Sequence, residues 1–583
     1  MRQRDVRIPG DGRSADDGAG QHDLPLRGAL CFLLAALVSC GRAQPPSVLL
    51  VTIDTWRWDH VGAAGRGKVA TPNLDRLARE GTYFPRVQST CPLTTPAHAT
   101  ILTGLTPRAH GIHDNQHFAL SASSVTLAER FRGAGYDTAA FVSGAPLRRA
   151  YGLDRGFDTY DDQGFKTSAR DPSSPPSRKG EETASRARAW LAAHAGGRVF
   201  LWVHFYDPHE PYEPSYAAEI AEVDARLGAL LEGLPGRWIV AVTGDHGEAL
   251  GDHGERTHGV LLYGATMDVP LIVSPAIPGA RSDAPAGLVD VAPTLAEMAG
   301  LPPHACDGRS LVGGPSQERW LDGEGAYPRT GYGLNAAHLL RRGSMVYVDH
   351  GIPEAYDLAR DPDELHDVAG SVGAFVAQAE ARQREIFAGE DALLTPTLSL
   401  AQEDLDALRS LGYAGGRRPA APAQRVDLRR FVLDLEGLSA ARALVAAGRH
   451  ADAIAAYDAF LRAYPESSLA EQERGGSLVA AGRLDEAARA FSRALSLDPA
   501  DAVSALNLGN LALVRGDVAG AERMYRASLA IEEGSPEAHL NLALLYLYKL
   551  GRPDDARPHL QRFLALAPED PEAGKVRSLL EAR

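Results

Sequence analysis

The chain has 583 residues, too many for one ordinary domain, with 44% hydrophobic and 23% charged residues, the balance of a globular protein with ample core. Its net charge of -15 and the lack of any Lys/Arg-rich run argue against a nucleic-acid-binding domain. Four cysteines are too few for a disulfide scaffold.

Residues 1–46 read as a signal segment and linker. Gly28 to Val38 is an apolar run too short to span a membrane as a helix. It ends Leu37-Val38-Ser39-Cys40-Gly41, which resembles a bacterial lipobox with Cys40 as the lipidated first residue of the mature protein. The expectation is a lipoprotein with a signal peptide, exported to the periplasm or cell surface and tied to the membrane by its lipid. The polar lead from Met1 to Pro25, with Asp16, Asp17 and Asp23, departs from that pattern and fits a start codon assigned too early.

Ser47 to Ile53 is a continuous apolar run, the pattern of a strand buried on both faces of a parallel sheet. It stops at Asp54, a carboxylate at a strand's C-terminal end, where open α/β sheets place their ligands. Thr71 to Ala78, with a Pro near its start, predicts a helix. Cys91 is expected to be a small buried residue.

In Thr94-Thr95-Pro96-Ala97-His98, Pro96 fixes φ where a helix can begin, and Ala97 to Leu102 suit that helix. Thr94 is thus placed just before a helix N-terminus, whose free amides and dipole favour an anion such as phosphate or sulfate. A threonine hydroxyl is a poor nucleophile at neutral pH and needs a metal or base to share its proton. The alternative is a plain helix cap.

The run from Thr94 through Thr103-Gly104 to His110-Gly111-Ile112 resembles the nucleophile segment of the alkaline phosphatase superfamily. Sulfatases there carry Cys-x-Pro-x-Arg, whose Cys becomes formylglycine. Nucleotide pyrophosphatase/phosphodiesterases carry Thr-x-Pro-x-His, with the Thr as nucleophile. This chain has the second form, and the resemblance implies that Thr94 is the nucleophile. Cys91 has neither Pro at +2 nor Arg at +4, so its conversion is not expected. Asp54 to Asp59 resembles the opening of a sulfatase domain, but with Ile53 before Asp54 where sulfatases have two adjacent Asp ligands.

Two further apolar runs follow. Val199 to Phe205 empties into Asp207-Pro208-His209, where the resemblance implies a second metal or contacts to an anionic substrate. Trp238 to Thr243 ends at Asp245-His246, an oxygen and an imidazole for one divalent cation, matching the metal pair of phosphodiesterases. His258 lies near a substrate-binding Lys or His of sulfatases. The resemblance covers about residues 47 to 370.

After the linker-like Gly415 to Pro422, Gly448, Gly482, Gly516 and Gly551 recur at a near-constant spacing, each followed by Ala five residues on (Ala453, Ala487, Ala521, Ala556). This resembles tetratricopeptide repeats, about four from 431 to 569, with a capping helix after them. Such arrays form a concave face that binds a partner protein or peptide.

The expected architecture is an α/β sandwich around a mostly parallel sheet at 47–413, a linker at 414–430, and an all-α repeat solenoid at 431–583. Asp54, Thr94, Asp245 and His246 are expected to hold one divalent metal (Zn, Mn or Ca). Asp207, His209 and His258 should sit nearby for a second metal or the substrate's anionic oxygens. His98 would orient the loop or touch the substrate. The expected chemistry is hydrolysis or phosphoryl transfer on phosphodiester or phosphonate esters through Thr94. Two alternatives stand beside it: a sulfuric ester hydrolase, and a non-catalytic scaffold.

Overall fold

The computed structural model describes residues 45–166, 176–280, 285–314, 318–389, 394, 425–499, 501–568 and 570–581. Cys40, the apolar run before it and the linker from Gly415 to Pro422 lie outside the described residues. No helix among those described is long and apolar enough to cross a membrane.

An eight-stranded sheet carries the N-terminal domain. Its strands are β1 (Ser47–Ile53), β2 (Thr82–Gln88), β3 (Asp137–Phe141), β4 (Thr159–Asp161), β5 (Val199–Phe205), β6 (Trp238–Gly244), β7 (Asp268–Ser274) and β8 (Ala286–Gly287), in the order β4-β3-β5-β1-β6-β7-β2-β8. β7 alone runs against the others, pairing antiparallel with β6 and β2. The three apolar runs of the sequence are the three central strands. Alternate residues of β1 serve two cores: Val48 and Leu50 face one, Leu49, Val51 and Ile53 the other.

Helices cover both faces. On one lie α1 (Pro72–Glu80), α4 (Gly180–Ala193) and α5 (Tyr216–Leu231), through Leu74, Leu77, Ala187, Ile220 and Leu227. On the other lie α2 (Thr94–Thr103), α3 (Leu127–Gly133) and α6 (Val291–Met298), through Ile101, Leu102, Phe131 and Leu295. A second, antiparallel sheet of β9 (Leu321–Gly325), β10 (Ala337–Arg342), β11 (Met345–Asp349) and β12 (Pro353–Asp357) follows, then α7 (Gly373–Ile386). The expected sandwich is present.

The C-terminal part is four helix pairs: α8 (Leu428–Ala446) with α9 (His450–Ala463), α10 (Ser468–Ala480) with α11 (Leu484–Leu497), α12 (Ala502–Val514) with α13 (Val518–Ile531), and α14 (Pro536–Leu545) with α15 (Pro553–Leu566), closed by α16 (Ala573–Glu581). Small residues let paired helices touch. A Cβ on Gly475 would lie 2.7 Å from the Phe491 ring, and one on Gly509 2.6 Å from Tyr525. The expected solenoid is therefore built as its spacing suggests.

Helix α8 begins at Leu428, inside the segment read as linker, and the residues before it are tied down. Val426 N donates to Asn335 Oδ1 at 2.8 Å, Leu428 N to the His350 carbonyl at 2.8 Å, and Arg425 pairs with Asp349. Arg429 forms an ion pair with Glu354 on β12. Phe431 is fully buried against Tyr332, Phe460 and Tyr464. The first repeat shares the core of the N-terminal domain, whereas the last pairs close cores of their own.

Candidate metal and nucleophile site

Three adjacent strands bring the site together. Ile53 of β1 is level with Phe205 of β5 and Gly244 of β6, so Asp54, the residues after β5 and Asp245-His246 emerge side by side. Thr55, at φ 52°, turns the chain sharply there, and its amide donates to Asp245 Oδ1 at 3.1 Å.

Thr94 stands opposite on α2. Its hydroxyl donates to Asp54 Oδ2 at 3.4 Å. The structure places Thr94 as the first helical residue, with Leu93 as the cap, rather than just before the helix. This changes the expected anion cradle. The Thr95 amide is spent on Asn115 Oδ1, Pro96 has none, and the Ala97 amide bonds to the Leu93 carbonyl. The helix dipole stays, but the first turn offers few free donors.

Asp54, Asp245 and His246 are fully buried, and their ligand atoms lie within 4.8 Å of one another. Asp54 Oδ1, Asp245 Oδ2 and His246 Nε2 have no hydrogen-bond partner. His246 Nδ1 donates to the Gly247 carbonyl at 3.0 Å, which leaves the lone pair on Nε2. Buried polar atoms without partners are rare, and two carboxylates with an imidazole suit a divalent cation. The residues fit such an ion. Burial, then the charge of Asp245, pushes Asp54 well above the usual carboxylate range, and burial raises Asp245 as well. Burial drives His246 down to about 3, so it is neutral and able to ligate.

His98 lies beside the cluster, with Nδ1 3.5 Å from Asp245 Oδ2. It is fully buried, with Nδ1 donating to the Thr94 carbonyl at 2.8 Å and Nε2 on Thr52 Oγ1 at 2.9 Å. Trp202 Nε1 donates to the same hydroxyl at 2.9 Å. These contacts fit the first of its two expected roles, orienting the turn that carries Thr94.

His209 and His258 come together as expected. Their rings are 5.3 Å apart, and His258 lies 4.5 Å from His246. Asp207 does not join them. Its Oδ1 is held by Arg226 of α5 at 2.7 Å and by the Gly180 amide of α4 at 3.1 Å. Asp207 thus braces two helices through Oδ1, while its buried Oδ2 is left without a hydrogen-bond partner. Cys91 is fully buried, as expected.

Two residues of the site escaped sequence reasoning. Glu248 is fully buried, accepting from Tyr212 at 2.9 Å and facing His258 Nδ1 at 3.1 Å, and burial pushes it up to about 7. His204, in the middle of an apolar strand, lies 3.5 Å from Asp54 Oδ2. Neither has a motif spacing that would flag it.

A mostly parallel sheet with two carboxylates and an imidazole at the ends of neighbouring strands defines an α/β domain with a candidate cation site. Comparison narrows this. The family model described as Sulfatase matches residues 46–301, and tetratricopeptide-repeat models match 438–502, 506–571 and 478–527. The chain thus carries a sulfatase domain followed by tetratricopeptide repeats. It is 40% identical over 93 residues to N-acetylgalactosamine-6-sulfatase of Canis lupus familiaris, covering 16% of this chain and 18% of that protein. It therefore spans under a fifth of the length of such relatives. The multifunctional alkaline phosphatase superfamily protein PehA of Trinickia caryophylli is 26% identical over 394 residues, 46% of this chain and 76% of that one. A 2-O GAG sulfatase of known structure shares the fold at a TM-score of 0.50 and 18% identity, covering 66% of this chain and 99% of that chain.

Proposed function

We propose that the domain is a metal-dependent ester hydrolase, or phosphoryl-group transferase, acting on phosphodiester or phosphonate esters with Thr94 as nucleophile. The observation that carries this reading is the Thr94 hydroxyl on Asp54, beside the unpartnered atoms of Asp54, Asp245 and His246.

Asp54, Asp245 and His246 would hold a divalent cation, with Thr94 beside them. Bound there, the cation supplies the positive charge that lowers the cost of ionising a hydroxyl and of gathering negative charge on the substrate. Asp54 Oδ2 accepts the Thr94 hydroxyl and aims it. His98 fixes the Thr94 carbonyl and hence the first turn of α2. Thr94 Oγ attacks phosphorus in line, the ester oxygen leaves, and water later hydrolyses the threonine phosphoester. His209 and His258, next to His246, would contact the substrate's anionic oxygens or hold a second metal.

A sulfuric ester hydrolase is the second reading, favoured by the sulfatases among the relatives. Against it, the position of the convertible residue holds Thr94, and Thr cannot form formylglycine. The repeats support binding of a protein or peptide on their concave face. We further read Cys40 as lipidated and the protein as exported and anchored at the periplasmic or outer face of a membrane; mass spectrometry of the mature N-terminus checks this.

The deciding experiment assays nitrophenyl phosphodiester, phosphonate, phosphomonoester and sulfate with Mn²⁺ or Zn²⁺, beside Thr94→Ala. Diester or phosphonate turnover lost in that variant supports the reading. Dominant sulfate turnover overturns it in favour of the second, and no turnover with no metal retained points to a non-catalytic scaffold.

A further inference from the structure

His204 is fully buried in β5, yet its Nε2 has no hydrogen-bond partner. A core histidine ordinarily finds partners for both nitrogens. The other nitrogen explains which way this one works. The Ser143 amide donates to His204 Nδ1 at 3.4 Å, so the lone pair is on Nδ1 and the hydrogen is on Nε2. The arrangement is held in place: Ser143 Oγ donates to the His204 carbonyl at 2.7 Å and meets Thr183 Oγ1 at 2.8 Å. On its other side the His98 ring packs edge-on, 4.9 Å away at 83°.

A protonated Nε2 cannot ligate a cation. It can donate, and what it faces is Asp54 Oδ2, 3.5 Å away, the oxygen that already accepts the Thr94 hydroxyl. Asp54 Oδ1, by contrast, has no donor. His246 has the opposite tautomer, with its lone pair toward the cluster. The two imidazoles are therefore assigned different jobs by their backbone contacts.

We propose that His204 is a positioning residue: its Nε2–H closes onto Asp54 Oδ2 in the loaded site. It keeps that oxygen occupied when Thr94 turns to its substrate and leaves Oδ1 for the cation. This rests on the proposed function above, and the test separates the two.

The variants are His204→Leu, which removes the donor, and His204→Gln, which restores an N–H. The expected result is a fall in kcat of about 10- to 100-fold in His204→Leu, the usual scale for a group that orients a ligand, with KM nearly unchanged and much of the loss recovered in His204→Gln. Pulsed EPR of the Mn²⁺-loaded protein should show the same histidine-nitrogen coupling in wild type and His204→Leu. Loss of a coupled nitrogen in His204→Leu would make His204 a ligand and overturn the proposal. In metal-free protein labelled with ¹⁵N-histidine, the signal missing from His204→Leu should report an Nε2–H tautomer; an Nδ1–H tautomer also overturns it. Absence of any Thr94-dependent turnover sinks the functional reading alone, since the NMR arm still decides the tautomer.

Discussion

Replacing Asp54 by Asn should stabilise the metal-free protein while abolishing its response to metal. The ligand atoms of Asp54 and Asp245 lie within 4.8 Å, fully buried, with one oxygen of each unpartnered. Two unit charges at that distance repel by about 3.5 kcal/mol at an effective dielectric of 20. A shorter separation raises this figure, and the raised pKa values let protons relieve part of it. In Asp54→Asn the amide oxygen can still accept from Thr94, and the amide N–H group takes the place of the unpartnered Oδ1. One charge–charge repulsion is removed. We expect metal-free stability to rise by about 1–3 kcal/mol. Wild type should gain about 2.7 kcal/mol at a Mn²⁺ concentration 100-fold above Kd, and the variant almost nothing. Urea unfolding with chelator and with Mn²⁺ measures both. A variant that is less stable without metal, or that keeps the Mn²⁺ shift, would refute the assignment of this trio as a cation site.

Thr94→Ala should lose at least about 1000-fold in turnover while still binding Mn²⁺, and Thr94→Ser, which keeps a hydroxyl, should retain measurable activity in the same assay. Phe431→Ala removes a fully buried ring from the joint between domains and should cost about 3–5 kcal/mol. Both the catalytic-domain and repeat unfolding signals should shift; a shift confined to the repeats would contradict a shared core. Glu354 is held down to about 2, against burial, by its hydrogen bonds to His350 and Tyr263 and by Arg429. Its folded pKa is depressed, so its contribution is complete above the ordinary glutamate pKa, about 4.5, and fades as pH falls toward 2. Acid titration of wild type against Glu354→Gln should show a shallower loss in the variant across that window.

The central strands were legible because a strand buried on both faces is apolar without interruption, and the sequence breaks that pattern only where chemistry begins, at Asp54 and Asp245. The same continuity hid His204, which sits inside the run and is pointed at the site by strand register rather than by any motif. It also hid the reversed direction of β7, since Val269 to Val273 reads alike either way. Asp-Pro-His has the look of a ligand pair, but only the three-dimensional placement of Arg226, a helix away, shows that one oxygen of Asp207 is taken up by an ion pair. The start of the solenoid was blurred because Gly/Pro-rich chain signals a linker, whereas the anchors that hold residues 425–429, Asn335, Asp349, His350 and Glu354, are some 75 to 90 residues earlier.

The packing of Phe431 and its neighbours into the catalytic core makes the solenoid a ruler rather than a tether. A flexible linker would let a captured protein sample every orientation at the active site, and selection would depend on local recognition alone. With the first helix pair fused to the domain, a protein bound on the concave face, as the proposed function has it, would be presented at one offset and one angle. On that reading, an ester on such a protein would be chosen by its distance from the docked segment. Pairs could be added at the far end to lengthen the reach, while the first could not be exchanged without rebuilding the enzyme beneath it.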